Sequence, residues 1–209
     1  MTLHVRRRFF PAMAVSLALG VLAQARGQDS GATAPVSALY TGLLAIMKAG
    51  RATPFNQRMQ MIIPVVQQVF DLPAVLQASV GLRWTSFTPE QQQTLLQAFT
   101  AYTAANYVAN FDTFNGQRFD VSPAVRRAAA DTIVSSTFIG SDGKSTRFDY
   151  VVRQVGGGYK VVDVLLDGSI SRVAVQRSDF RAVLTSNDPA ALITLLRNKV
   201  SNLAAGGGS

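Results

Sequence analysis

Cysteine is absent from the 209 residues, and histidine occurs once, at His4. The first absence excludes a thiolate nucleophile and any disulfide. The second leaves everything after position 4 without an imidazole, the usual general base near neutral pH and the commonest metal ligand. Acidic groups are also few, 12 Asp+Glu against 20 Lys+Arg, for a net charge of +8. What the chain has in quantity is apolar surface, amides, hydroxyls and guanidinium groups. That inventory favours binding over catalysis and calls for no cofactor and no metal.

Paired carboxylates are the one catalytic option left. Asp71 and Asp188 read as helix caps, Glu90 as a first-turn residue, and Asp142 and Asp167 as turn residues. Asp149 and Asp163 fall on neighbouring strands, close enough in register to consider as a pair, although strand-face charges beside arginines are far commoner. The sequence contains no Gly-x-Ser-x-Gly elbow. Gly156-Gly157-Gly158 lacks the Lys-Ser/Thr of a phosphate loop. No catalytic residue is assigned.

The N-terminus carries an address. Arg6-Arg7-Arg8 forms a basic region, Phe9 to Leu22 a mostly apolar run too short for a comfortable span, and Ala23-Gln24-Ala25 a small-x-small cleavage pattern. Residues 1–25 therefore read as a signal peptide cleaved near Ala25. Polar residues flanking the arginines in a twin-arginine signal are missing, so the general secretory route fits better. Residues 26–34 read as a flexible leader, 35–203 as a single domain and 204–209 as a loose tail. No later segment reads as a membrane span. The remaining ~180 residues suffice for one core without covalent staples. Loss of the three signal arginines lowers the charge from +8 to +5. The remaining cations are scattered, which argues against nucleic acid as a partner.

The order of patterns is helices over Pro35–Phe114, strands over Gln117–Val175, then helices over Ser178–Leu203. Helices followed by strands indicate an α+β domain. Thr88-Pro89-Glu90-Gln91 spells a helix start with a capping box. Asp71 with Pro73, and Asp188-Pro189, mark two others. Pro64 predicts a kink or break in the apolar run Met59–Phe70. Asp142-Gly143, Gly156-Gly157-Gly158 and Asp167-Gly168 predict tight turns of an antiparallel meander. In the third strand Phe148, Tyr150 and Val152 share one face, and Arg147, Asp149 and Arg153 the other, so the sheet has one covered and one wet face. Val162, Val164 and Leu166 alternate with Asp163, which predicts an inward valine face in the fourth strand.

The helix after Thr88 carries Leu95, Leu96, Phe99, Tyr102, Tyr107 and Phe111 over about half its circumference, wider than a simple stripe. Such a helix touches two neighbours, or one neighbour and a ligand. With Met59 and Met61 nearby, these residues form either a solid core or the wall of an apolar pocket. Composition does not separate the two.

Two ordered blocks do. The first is Phe70-Asp71-Leu72 … Gly81-Leu82-Arg83-Trp84 … Thr88-Pro89-Glu90-Gln91-Gln92 … Phe99 … Tyr107. The second is Val162-Asp163-Val164 … Asp167-Gly168-Ser169-Ile170-Ser171 … Gln176-Arg177-Ser178-Asp179-Phe180. Together they resemble the MlaC, or toluene-tolerance, family of periplasmic lipid-binding proteins over about Pro35–Val200. Their wording is nearest to the hopanoid-associated HpnM branch.

The resemblance implies a helical layer packed on a twisted antiparallel sheet of about four strands, enclosing an apolar cavity. It implies a periplasmic carrier of phospholipid or hopanoid. Its implied partners are an inner-membrane ABC lipid transporter complex and an outer-membrane lipoprotein complex. Leu72, Leu76, Trp84, Leu96, Phe99, Tyr102, Tyr107, Phe111, Val134, Phe138, Tyr150, Val152, Val162 and Val164 would then line the cavity. Arg177 belongs to a family signature, either holding a strand-to-helix junction or meeting a headgroup or partner. Two other readings stay open: a periplasmic scaffold with a filled core, and an exported carboxylate-dependent hydrolase.

Overall fold

The structure, a computed structural model, describes residues 22–206, with side chains from residue 31 onward. Most of the predicted signal peptide, and the last residues of the tail, lie outside the described residues. Helices α1 (Leu22–Ala49), α2 (Phe55–Val69), α3 (Leu72–Val80) and α4 (Pro89–Asn110) come first, with a 3-10 turn (Gly81–Ser86) between the last two. Strands β1 (Arg118–Ala128), β2 (Asp131–Ile139), β3 (Ser145–Val155), β4 (Gly158–Leu166) and β5 (Ile170–Ser171) follow, then α5 (Arg172–Val183) and α6 (Ala190–Ala204). The strands lie in sequence order, each antiparallel to the next. The α+β expectation holds, with a fifth, two-residue strand added at the edge.

Several local predictions appear atom for atom. The Thr88 side chain accepts from Gln91 N–H while Gln91 reaches back to Thr88 N–H, the expected capping box. Asp71 caps α3 through Ala74 N–H at 3.1 Å, and the Asp188 carboxylate accepts from Ala190 N–H at 3.0 Å. Gly156 and Gly157 both hold positive φ, 58° and 84°, as a two-residue turn matched to strand twist requires.

Other predictions need correction. Residues 26–34 are not a loose leader: α1 runs through them, and Ala32 is buried. The apolar stripe Val36, Leu39, Tyr40, Leu43 extends back to Ala32 at helical spacing, which the small, polar composition obscured. Contrary to expectation, Gly31–Ala49 is long and apolar enough to cross a membrane, but half of it is buried inside the protein as a core helix. Helix α2 passes through Pro64 without a break. The Pro64 ring is exposed, so the carbonyl it leaves unpaired one turn earlier faces water. The second helical region starts at Arg172, six residues before the predicted Ser178, because Ser171 caps it by accepting from Ala174 N–H.

The helical layer is fixed to the sheet by α1, which crosses it diagonally. Gly31 lies beside the Tyr159 ring at the start of β4, and Tyr40 stacks on Phe119 of β1 with ring centroids 4.2 Å apart. On its other side α1 approaches α2 closely at Gly42. A Cβ there would lie 2.9 Å from a methyl carbon of Val65 and 3.1 Å from the Ile62 side chain. Val65 is stiff about χ1, so the helices must separate to admit a methyl group. Gly42→Ala is expected to cost about 1–2 kcal/mol, read as a lower urea midpoint at unchanged slope.

Candidate functional site

The sheet divides along its length. At one end Val134, Val152 and Val161 are fully buried beneath α1 and the adjoining helices, a solid core. At the other end the register brings Phe119 beside Phe138, and Phe148 beside Leu166, and α1 reaches this end through Tyr40, stacked on Phe119. α4 stands opposite, carrying Phe99, Tyr102 and Tyr107. Between them lies a cavity of about 410 Å³, inside the range of about 300–1,000 Å³ typical of small-molecule sites.

Its floor is aromatic. Phe111 packs against Phe119 and edge-on against Phe138, with centroids 5.8 and 5.7 Å apart, and Phe119 and Phe138 meet at 5.0 Å. Beside Tyr102, three more phenols reach in: Tyr40, Tyr107 and Tyr150. Burial pushes all three up from the ordinary phenol value, so they are neutral hydrogen-bonding groups at physiological pH. The Tyr40 hydroxyl hydrogen-bonds Ser136, whose Oγ donates to the Phe148 carbonyl at 3.1 Å.

The rim is polar and comes from two helices. Thr103, Asn106 and Asn110 follow one another on one face of α4; Arg172 and Gln176, four residues apart, face them from α5. The two helices touch at Phe99 and Phe180, edge to face at 6.3 Å. An apolar interior with amides and one guanidinium at its edge suits an amphipathic molecule.

Of the residues the resemblance assigned to the lining, Leu72, Phe99, Tyr102, Tyr107, Phe111, Phe138, Tyr150 and Val164 do face the cavity. Five do not. Leu76 is fully buried one turn beyond Leu72, where α3 packs on α5 and α4. Trp84 lies on the 3-10 turn outside the cavity, edge-on to Phe87 at 6.4 Å. Val134 and Val152 belong to the solid end of the sheet. Val162 is displaced by a β-bulge: Val152 pairs with Val161 and Val151 with Asp163, which leaves Val162 unpaired between them. The inward set on β4 is therefore Val161, Val164 and Leu166. Leu96 lines a second groove of about 560 Å³ between α2, α4 and the β3–β4 turn, which shares Phe70 and Leu72 with the cavity. Met59 is core and Met61 is exposed, and neither lines the cavity.

Tyr40 carries no sequence signal, since α1 holds no motif, and Arg172 and Gln176 fall before the helix start that the sequence predicts at Ser178. The α4 amides had a readable signal, a Thr103–Asn106–Asn110 stripe at helical spacing inside an otherwise apolar face.

The carboxylates are accounted for structurally. Asp149 is fully buried and takes two hydrogen bonds from Arg147, at 2.9 and 2.7 Å, with Arg126 at 3.5 Å. Burial pushes its carboxyl up, but hydrogen bonds from Arg147 and Ser135 and the charges of Arg147 and Arg126 outweigh it and hold it below the usual carboxylate range. Asp163 accepts from Ser171 Oγ at 2.5 Å and from Val173 and Val164 N–H at 3.1 and 2.8 Å, tying β4 to the start of α5. The two do not form an acid–base pair. Arg177 donates twice to the Ala78 carbonyl, at 2.9 and 2.6 Å, and so closes the last turn of α3 and docks α5 there.

Among solved structures, the chain is similar to the phospholipid-binding protein from Ralstonia solanacearum, determined in complex with a phospholipid. The match has a TM-score of 0.71 at 24% identity and covers 83% of this chain and 98% of that one. No curated protein matches significantly. The profile of the MlaC protein family matches residues 37–198, a span that includes every residue lining the cavity, and by that match the chain belongs to the MlaC family.

Proposed function

We propose that this protein is a non-enzymatic periplasmic lipid carrier, exported by residues 1–25 and folded as one domain that begins within α1, Ala32 included, and ends near 203. The observation that carries the reading is the open aromatic cavity with a polar rim on one side. A lipid leaving a bilayer exposes chains whose transfer to water costs about 0.8 kcal/mol per methylene, and an apolar cavity cancels that cost while the headgroup stays at the rim. Family membership supports it, as does the phospholipid held by the similar Ralstonia protein.

The finer reading places the chain in the HpnM branch, exchanging phospholipid or hopanoid with an inner-membrane ABC transporter that supplies the energy, and with an outer-membrane lipoprotein complex. The cavity argues against a scaffold with a filled core. The engagement of Asp149 by arginines, and of Asp163 by Ser171 and backbone amides, argues against a carboxylate-dependent hydrolase.

The test is to purify the protein from the periplasm of a hopanoid-producing bacterium without detergent, then compare native and denaturing mass spectra. A lipid adduct near one per protein is expected, and its fragmentation names the class. A protein that is empty there, and stays empty after incubation with phospholipid or hopanoid vesicles, sinks the carrier reading.

A further inference from the structure

Only two charged side chains line the cavity among the described residues, and their situations differ. Asp163 is occupied by Ser171 Oγ and two backbone N–H groups. Arg172 is exposed at the rim and makes no ion pair among the described residues, although its charge reaches the Tyr107 phenol and favours ionisation there. Many other arginines are engaged: Arg58 with the Val108 carbonyl, Arg147 with Asp149, Arg153 with Asp131, Arg177 with Ala78.

The groups around Arg172 are largely hydrogen-bond donors with capacity to spare. The Gln176 amide lies 3.2 Å from Ser79 Oγ, whose single proton also serves the Val75 carbonyl at 2.8 Å, and it keeps an N–H to donate. Across the opening, Asn106 and Asn110 each give one amide hydrogen to a carbonyl of α4 and keep a second. Donors thus converge from two walls on a gap with an apolar chamber behind it. A carboxylate satisfies one planar fork. A tetrahedral oxyanion, with oxygens pointing in several directions, uses the Arg172 fork and the opposing amides together.

Building on the carrier reading, we propose that Arg172, with Gln176, Asn106 and Asn110, forms a phosphate-binding mouth that selects lipids with a phosphodiester headgroup over neutral lipids with the same chains. The chains enter between the polar residues that α4 and α5 contribute to the cavity, and the phosphate stays at the rim. The Asp163 carboxylate on the same cavity disfavours a phosphate drawn further in, which keeps the headgroup outside.

The test is calorimetric binding of short-chain phosphatidylglycerol and of diacylglycerol with identical chains, to the wild type, Arg172→Gln and Arg172→Lys. Arg172→Gln is expected to weaken phosphatidylglycerol about tenfold, a loss of about 1.4 kcal/mol, and to leave diacylglycerol unchanged. Arg172→Lys should recover part of the loss as a point charge without the fork. Inorganic phosphate should compete with phosphatidylglycerol in the wild type and lose that effect in Arg172→Gln. Equal weakening of both lipids, or of neither, overturns the proposal. Inorganic phosphate that binds through Arg172 without affecting either lipid also overturns it, since the site then serves free phosphate. Failure of the wild type to bind either lipid refutes the carrier reading along with it, an outcome distinct from loss of headgroup selectivity alone. Unchanged thermal melting of the Arg172 variants guards against misfolding, and Arg172 is exposed at the first position of α5.

Discussion

Replacing Arg147 with alanine is expected to destabilise the protein by about 2 kcal/mol at neutral pH, although the residue lies outside the cavity. The reason is the group left behind. Asp149 is fully buried, and Arg147 supplies both of its closest hydrogen bonds. Removing one partner of a wholly buried ion pair costs about 3–5 kcal/mol, because the other charge stays buried and unpaired. Two features lower that figure here: the Arg147 side chain is 54% exposed, so water screens the pair and reaches the vacated position, and Arg126 remains at 3.5 Å.

The pH dependence gives the prediction a sign. In the wild type the carboxyl is held below the usual range, so its contribution is present above the unfolded value of about 3.9 and is lost as pH falls through the lower folded value. In Arg147→Ala, burial acts with less opposition and raises the carboxyl, so acid relieves the variant by neutralising the stranded charge. Urea denaturation from pH 7 downward should therefore show the deficit shrinking on acidification. Asp149→Asn should flatten this part of the profile. A deficit that is constant with pH would mean that Arg147 acts by packing alone.

The same cluster shows how far the sequence could be read. Alternation in β3 placed Asp149 with Arg147 on the face away from the helices, and that is where they lie. The sequence did not reveal that the two arginines fold over the carboxylate and bury it, since that depends on cross-strand register between β1, β2 and β3. The Thr88 capping box and the glycine turns were legible because their causes lie within four residues. The cavity wall on α4 was legible because one helix presents one continuous surface. Its limits were not. Which end of the sheet is solid depends on α1, whose first described turns carry a polar, glycine-containing composition. Which valines of β4 face inward depends on one unpaired residue, Val162, whose bulge shifts the alternation. Trp84 was misplaced for a related reason: the 3-10 turn swings it outside, a backbone path that no spacing rule predicts.

Filling the cavity should abolish lipid loading while leaving the fold in place. Val164→Trp acts from the sheet and Thr103→Trp from α4, at facing positions that are half-buried and border open volume, not packed core. An indole at either site occupies a large share of the 410 Å³. It also suits its backbone, since tryptophan is favoured in strands and tolerated in helices. Overpacking a filled core costs about 1–3 kcal/mol, but here the added ring enters existing space and gains apolar contact. The melting temperature should thus stay within a few degrees of the wild type. Retained lipid should fall at least tenfold, measured by extraction and mass spectrometry of the purified protein. Phe99→Ala is the counterpart: it enlarges the chamber but removes a fully buried ring that meets Phe180 edge to face, so it should lose about 3–5 kcal/mol of stability. The two classes of variant separate the roles of the wall. If both tryptophan variants fold and still carry lipid at the wild-type level, the lipid resides elsewhere, and the second groove beyond Phe70 and Leu72 becomes the place to look.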